Sequence, residues 1–153
     1  LNHSIGEIVG PGCRATVGDA RCTMDLADYT ATGEVTAVTS RRQFDTDLAT
    51  ATVRLTPSST GTPTAGYFDA GLLTWLTGNN AGRSIEVKTY ALDGSIELQL
   101  PMTQDVQVGD TFSAETGCAK SFAVCKAKFG NGVNFRGFHL LPGMDKLLRV
   151  GGQ

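Results

Sequence analysis

The sequence predicts a mainly β protein: a small antiparallel β-barrel-like domain, inserted into a small cysteine-ligated cluster domain that contains one short helix. Nineteen glycines in 153 residues, together with few long apolar runs, argue against a helical bundle. Short segments of alternating polar and apolar residues recur between turn residues through the middle of the chain. Four cysteines lie in two pairs, one pair towards each end. These observations favour a β core joined to a separate cysteine site.

The predicted strands follow one another at short spacing. They cover residues 33–40, 48–55, 83–90, 95–100 and 108–112, and an apolar segment at 67–77 lies between the second and the third. Residues 57–61 are expected to break the pattern. Asp93 and Gly94 predict a hairpin with a tight type I′ turn, because this pair accommodates positive φ angles. Strands spaced in this way predict an antiparallel barrel or sandwich.

A single helix is predicted in the last third of the chain, from about Cys118 to Phe129. Thr116 can cap its start, and apolar and cysteine side chains recur at spacings of three and four residues. Gly130 is expected to end the helix. Seven residues make about two helical turns, so Cys118 and Cys125 are expected to project from the same side.

The four cysteines are the main candidate site. Cys13 and Cys22 are nine positions apart, and Cys118 and Cys125 are seven apart. Four thiolates are the ligand set of a cubane iron–sulfur cluster and also of a structural zinc site. Zinc sites usually use pairs separated by only about two to four residues, which favours iron–sulfur over zinc. Two disulfides, which need an oxidising compartment, and four separate buried thiols are the alternatives that the residues alone leave open.

The last third of the chain carries a family resemblance. Its motif consists of Cys118, Cys125, Phe129, Asn131, residues 134–138 (Asn-Phe-Arg-Gly-Phe) and residues 141–143 (Leu-Pro-Gly). This motif resembles the C-terminal signature of tail-tip hub proteins of gene transfer agents and siphophages, which are related to the minor tail protein L of lambda-like phages. In that family the signature cysteines and an upstream pair, similar to Cys13 and Cys22, bind a [4Fe–4S] cluster. The resemblance implies that all four cysteines are ligands here.

One departure from the family bears on the domain organisation. The lambda-type proteins join their two cysteine pairs by a much shorter segment. We therefore predict a discontinuous iron–sulfur cluster-binding domain made of residues 1–31 and 117–153, and an inserted β-barrel-like domain at 32–116. Loop-closure entropy grows slowly with loop length, so four metal–thiolate bonds can offset it. The cluster is expected to be structural rather than redox-active.

The function implied by the resemblance is that of a non-enzymatic hub component of a phage-like tail tip or baseplate. Such a protein assembles as a homo-oligomer, expected to be a trimer. It links the distal tail protein to central fibre or receptor-binding proteins around the DNA exit channel. The implied location is the tail tip of a virion or gene transfer agent particle that is assembled in the bacterial cytoplasm. A small iron–sulfur redox or sensor protein and a disulfide-stabilised secreted β binding domain are the alternative functions.

The composition does not favour a highly charged partner. The formal net charge of −2 and the 18% of charged residues give no electrostatic reason to expect a nucleic acid or an anionic membrane. No apolar run approaches the roughly 20 residues that span a bilayer, so no membrane insertion by this chain is expected. No nucleophile motif or phosphate-binding loop is present in the sequence. Because the chain does not begin with Met, we expect part of a longer protein or a processed product.

The remaining candidates have ordinary structural explanations. His3 and His139 are isolated in the sequence, which is typical of solvent-exposed or hydrogen-bonded histidines rather than ligands. Arg41 and Arg42 suit a solvated strand end, with contact to DNA as the alternative. Four apolar residues either form an exposed patch or pack around the cluster: Phe135, Phe138, Leu140 and Leu141.

Overall fold

Six strands with alternating side chains close into an antiparallel barrel. The computed structural model of the protein describes residues 12–137. The strands of the described part are β1 (Thr30–Val38), β2 (Gln43–Thr46), β3 (Val53–Thr56), β4 (Ser59–Gly61), β5 (Leu72–Trp75), β6 (Ser84–Tyr90), β7 (Ser95–Leu98) and β8 (Thr111–Glu115). The barrel order is β1–β2–β7–β6–β5–β8, and β3 pairs with β4 in a separate two-stranded sheet. The prediction of a mainly β protein with an antiparallel barrel is therefore confirmed.

The interior of the barrel is filled by large apolar side chains. Burial alternates along β1 and β8, as expected for strands with one face on the core. Three rings meet at the centre: Phe44 lies 5.4 Å from Trp75, and Phe112 lies 5.7 Å from Trp75, measured between ring centroids. Aromatic side chains of this size bury large areas and dominate core energetics. Apolar burial therefore stabilises the barrel.

The β6–β7 hairpin forms where the sequence predicts it, but its turn differs from the prediction. Of the pair Asp93 and Gly94, only Gly94 has a positive φ, at 91°. The Ala91 N–H donates to the Ser95 carbonyl at 2.9 Å, which leaves a three-residue loop. A type I′ turn needs two positive φ angles, so that prediction is wrong. Glycine is still required, because a Cβ there would overlap the carbonyl oxygen of Thr46.

Two predicted segments are shifted in the structure. Residues 48–55 were expected to form one strand, but their first half lies in a 3₁₀ turn, Asp47–Thr50. The Thr46 hydroxyl accepts a hydrogen bond from the Leu48 N–H at 3.3 Å, which starts this turn in place of a strand. The predicted break at 57–61 contains the short strand β4.

The helix is present but shorter than predicted. The described residues contain one α-helix, α1 (Phe122–Ala127). Its N-cap is Ser121, whose hydroxyl accepts from the Val124 N–H at 3.3 Å. The predicted cap, Thr116, is buried and donates its hydroxyl to the Tyr67 carbonyl at 2.9 Å. Cys118 therefore precedes the helix, and the expectation that one helix face carries both C-terminal cysteines is wrong.

Residues 12–26 and 117–137, called here the cysteine region, pack against one end of the barrel. Phe129 belongs to the same apolar cluster as the barrel core. Its ring lies 5.2 Å from that of Tyr29, and the Tyr29 hydroxyl donates to the Lys128 carbonyl at 3.1 Å. β1 begins at Thr30, close to the predicted boundary between residues 31 and 32. The division into two domains stays a prediction. No helix among residues 12–137 has the length and apolar character needed to cross a bilayer.

Candidate metal centre

Backbone hydrogen bonds bring the two ends of the described chain together. The Cys13 N–H donates to the Lys120 carbonyl at 2.7 Å, and the Arg14 N–H donates to the Arg136 carbonyl at 3.4 Å. Both bonds join residues more than a hundred positions apart in the sequence. The segment with the first cysteine therefore lies directly beside the residues that flank α1.

All four cysteines are free and share one neighbourhood. Cys125 is buried, with 7% of its surface exposed, and the other three are half-buried. Burial raises the pKa of the Cys125 thiol, and the charges of Cys118, Cys13 and Cys22 raise it further. Hydrogen bonds place the cysteines in two adjoining pairs. Asn131 contacts both Cys22 Sγ, at 3.7 Å, and Cys125 Sγ, at 3.3 Å. The Cys13 N–H donates to the carbonyl of Lys120, whose own N–H donates to Cys118 Sγ at 3.4 Å. The two disulfides of the alternative interpretation are not formed in the structure.

The loop that carries Cys22 is folded around one carboxylate. Asp19 accepts hydrogen bonds from the backbone N–H groups of Thr16 at 3.0 Å, Arg21 at 2.9 Å and Cys22 at 2.7 Å. The bond from Cys22 is the main cause that lowers the pKa of Asp19. Thr23 follows with a positive φ of 61°. Asp19 therefore fixes the position of Cys22.

Three of the four sulfur atoms accept N–H donors. Such bonds are one of the factors that set the properties of iron–sulfur centres. The donor and acceptor pairs are the Lys120 N–H with Cys118 Sγ at 3.4 Å, the Arg136 N–H with Cys13 Sγ at 3.4 Å, and the Asn131 side-chain amide with Cys22 Sγ at 3.7 Å. The fourth sulfur, Cys125 Sγ, lies 3.3 Å from the Asn131 carbonyl oxygen.

A half-buried lysine lies beside the cysteine region. Lys128 Nζ donates to the carbonyls of Tyr67 at 3.1 Å and Gly117 at 3.2 Å, and it sits 4.3 Å from the centroid of the Tyr67 ring. Burial lowers the pKa of Lys128 to about 8, although the nearby Cys118 and Asp69 oppose this shift. The ammonium form thus brings positive charge close to the thiolates.

The residues present suit an iron–sulfur cluster by the chemistry of their donor atoms. They supply four free cysteines and N–H groups directed at three of the sulfurs. Within residues 12–137, no group of three or more His, Cys, Asp or Glu side chains is spaced to hold a single metal ion. A cubane cluster does not require such a group, because each thiolate binds a different iron atom. The assignment of the four cysteines as ligands stays a prediction.

Other sequence candidates are engaged elsewhere or lie outside the described residues. Arg41 pairs with Asp105 at 2.6 Å, and Arg42 pairs with Glu97 at 2.8 Å, as expected for solvated strand ends. The Phe135 ring lies 5.4 Å from that of Phe122, between ring centroids. The candidates outside the described residues are His3, His139, Phe138, Leu140 and Leu141.

Sequence reasoning gave no role to three residues that shape the site. Asp19, Lys128 and Asn131 act through hydrogen bonds to distant or backbone partners. Asn131 belongs to the motif that resembles the tail-tip hub proteins, and this is the only indication in the sequence of a role for it. The bond from Asn131 to Cys22 spans 109 positions, which no local pattern reveals.

Comparisons with known proteins give a consistent result. A sequence profile of the family described as "Phage conserved hypothetical protein BR0599" matches residues 66–145, which include Cys118 and Cys125. The whole chain matches a chain of the solved structure described as "Virion of native gene transfer agent (GTA) particle", with a TM-score of 0.79 and 29% sequence identity. The match covers 51% of that chain, so this protein spans about half its length. No curated protein sequence matches the chain.

Proposed function

Because the chain belongs to the phage conserved hypothetical protein BR0599 family, we propose that it is a non-enzymatic structural component of a phage-type virion. The similarity of the whole chain to half of a chain in a gene transfer agent virion supports this proposal. A virion component assembles with other virion proteins, so parts of its surface are expected to be interfaces.

The finer proposal is a hub in the tail tip or baseplate. It rests on the resemblance of the motif between Cys118 and Gly143 to the signature of tail-tip hub proteins. In this role the protein is a homo-oligomer, as a trimer, and joins the distal tail protein to central fibre or receptor-binding proteins. DNA passes through the enclosed channel without sequence-specific contacts.

The proposed cofactor is a [4Fe–4S] cluster held by Cys13, Cys22, Cys118 and Cys125. The observation that carries it is the set of hydrogen bonds that bring four free cysteines together from two chain segments about a hundred residues apart. When bound, the cluster supplies four iron–thiolate bonds that cross-link these segments.

The protein's own residues prepare the site for such a group. Asp19 orients the loop that carries Cys22, and backbone N–H groups donate to the sulfur atoms of Cys13 and Cys118. The Lys128 ammonium lies close enough to Cys118 to offset part of the negative charge of that thiolate. We expect the cluster to have a structural role, because the segments that precede and follow the barrel meet at this site.

Metal analysis of anaerobically purified protein tests the cofactor. We expect brown protein with about four irons and four sulfides per chain, the stoichiometry of a cubane cluster. Colourless protein with stoichiometric zinc would overturn the iron assignment. Two oxidised cysteine pairs without metal, detected by mass spectrometry, would instead support the disulfide-stabilised binding domain. A cluster that is reversibly reduced, and whose loss leaves the cysteine region folded, would support the redox alternative.

Particle assembly tests the role in the virion. In a host that produces the particles, Cys118→Ser is expected to give particles without a complete tail tip and without DNA delivery. Ala119→Ser changes the exposed neighbouring residue and should leave assembly intact. Normal, infective particles that carry the Cys118→Ser protein would contradict the proposed structural role of the cluster.

A further inference from the structure

We propose that Asn131 is a positioning residue for the metal centre: it ties the N-terminal cysteine pair to the C-terminal pair and donates a hydrogen bond to the Cys22 thiolate. This inference rests on the proposed function, because it concerns how this chain holds the cluster. Asn131 lies outside the set of four ligands and acts through Cys22 and Cys125.

The Asn131 side chain is directed at Cys22. The residue is 7% exposed, and its Nδ2 lies 2.5 Å from the Cys22 carbonyl oxygen and 3.7 Å from Cys22 Sγ. Asn134 Nδ2 donates to Asn131 Oδ1 at 2.7 Å. This bond occupies the oxygen end of the amide, so the hydrogen-bond network itself assigns the NH₂ group to the side of Cys22.

The Asn131 backbone contacts Cys125 of the other pair. The Asn131 N–H donates to the Cys125 carbonyl at 2.9 Å. The Asn131 carbonyl oxygen lies 3.3 Å from Cys125 Sγ, where it accepts the thiol proton that Cys125 loses when it binds iron. Gly130 makes this possible, because its φ of 62° turns the chain back after α1. One buried residue thus touches a cysteine from each end of the chain.

The chemistry of this contact goes beyond packing. An N–H donor at a thiolate withdraws negative charge from the sulfur, which stabilises the bound cluster and raises its reduction potential. A purely structural asparagine would bond only to the Cys22 carbonyl and stabilise the loop. The two roles predict different effects on the cluster, so they can be separated by measurement.

The experiment compares two buried asparagines in the anaerobically purified protein. Asn131→Asp keeps the side-chain shape but replaces the donor by a charged acceptor. Asn80→Asp is the matched control, because Asn80 is also buried and donates to backbone carbonyls, those of Gln104 and Asp105. We expect Asn131→Asp to release iron to a chelator about 10-fold faster than the wild type, and to lower the reduction potential of the cluster. Asn80→Asp should lower thermal stability but leave the reduction potential unchanged.

Asn131→Ala separates charge from hydrogen bonding. It removes the donor without adding a negative charge, and it should also lower the reduction potential, by less than Asn131→Asp. Both Asn131 variants with a wild-type potential would overturn the inference, and so would failure of both to fold while Asn80→Asp folds, because Asn131 would then be structural only. Wild-type protein without iron and sulfide would overturn the proposed function itself, which distinguishes the two failures.

Discussion

The barrel and the cysteine region are stabilised in different ways. The barrel has a closed set of strand pairings and many large apolar side chains that are fully buried. Within the described part of the cysteine region, the only buried apolar residues besides Cys125 are Ala15 and Phe129. Its order comes instead from hydrogen bonds to backbone groups and sulfur atoms. The barrel can fold by apolar burial, whereas the cysteine region lacks a core of its own and is a candidate for metal-dependent order.

Strand pairing in the barrel, and not only the cluster, brings the two cysteine pairs together. β1 and β8 pair directly, with Thr30 opposite Glu115. This pairing closes the long loop between the cysteine pairs before any metal binds, and loop closure is the main entropic cost of joining them. A cluster then has to order only the short segments on either side of the barrel end.

The largest effect is expected for a change that removes one ligand. Cys118→Ser should abolish the cluster and, with it, the order of the cysteine region, because that region has few buried apolar groups. Hydrogen exchange is expected to show loss of protection at residues 12–26 and 117–137 and retained protection in the barrel strands. Ala119→Ser is the control. Uniform loss of protection in both regions would break the distinction between them.

The next effect concerns the barrel core. Phe112 is fully buried among aromatic rings, so Phe112→Ala should lower the free energy of unfolding by about 3–5 kcal/mol. Leu92 is 65% exposed, and Leu92→Ala should change it by less than about 0.5 kcal/mol. Urea denaturation of the iron-loaded proteins measures both. A Phe112→Ala effect no larger than that of Leu92→Ala would show that the barrel does not rely on this core.

How far the sequence could predict the structure differs between the same two regions. β6, β7 and the glycine of their hairpin were predictable, because alternation and turn residues are local signals. β2 was missed, since its outward residues Gln43 and Asp45 leave only Phe44 as an apolar signal. The end of β8 extends towards Thr116, whose burial against Tyr67 is a tertiary effect that overrides its capping preference.

The cysteine region was predictable in its ligand candidates but not in its geometry. Cysteine spacing and the family resemblance pointed to Cys13, Cys22, Cys118 and Cys125. The delayed start of α1 depends on Lys120, which has a positive φ of 59° that its residue type does not favour. Contacts that bridge a hundred positions, such as those of Asn131, are set by the closed barrel and leave no local pattern.

A smaller effect is expected from the loop around Asp19. Asp19→Ala removes the acceptor for three N–H groups, including that of Cys22, so the rate of iron release to a chelator should rise by about 10-fold. Asp25→Ala is the matched control, because the hydrogen bond that the Asp25 carboxylate accepts comes from the Ala27 N–H and not from a cysteine. The urea midpoint of the barrel should not change in either variant. Equal iron release from both would mean that Asp19 does not position the ligand.

The smallest effect is a pH dependence at the junction of the two regions. Lys128 has a pKa lowered from 10.5 to about 8 by burial. Between these values the unfolded state binds more protons than the folded state, so the stability of the iron-loaded protein should rise as the pH increases from about 8 towards 10.5. Lys128→Met should reduce this rise, because methionine does not titrate.

The comparison of unfolding free energies at pH 7 and pH 9.5 tests this expectation. Lys126→Met is the control, since Lys126 is exposed in α1, two residues before Lys128, and should retain the wild-type increase. Tyr67, whose pKa is raised to about 12 by burial, acts in the opposite direction only above about pH 10, because there the folded state keeps its proton longer. Iron binding by the cysteines also depends on pH, because the ligands must be deprotonated. The difference between Lys128→Met and Lys126→Met therefore reports the effect of the lysine. If Lys128→Met shows the same increase as Lys126→Met, the buried ammonium does not limit stability at the junction of the barrel and the cysteine region.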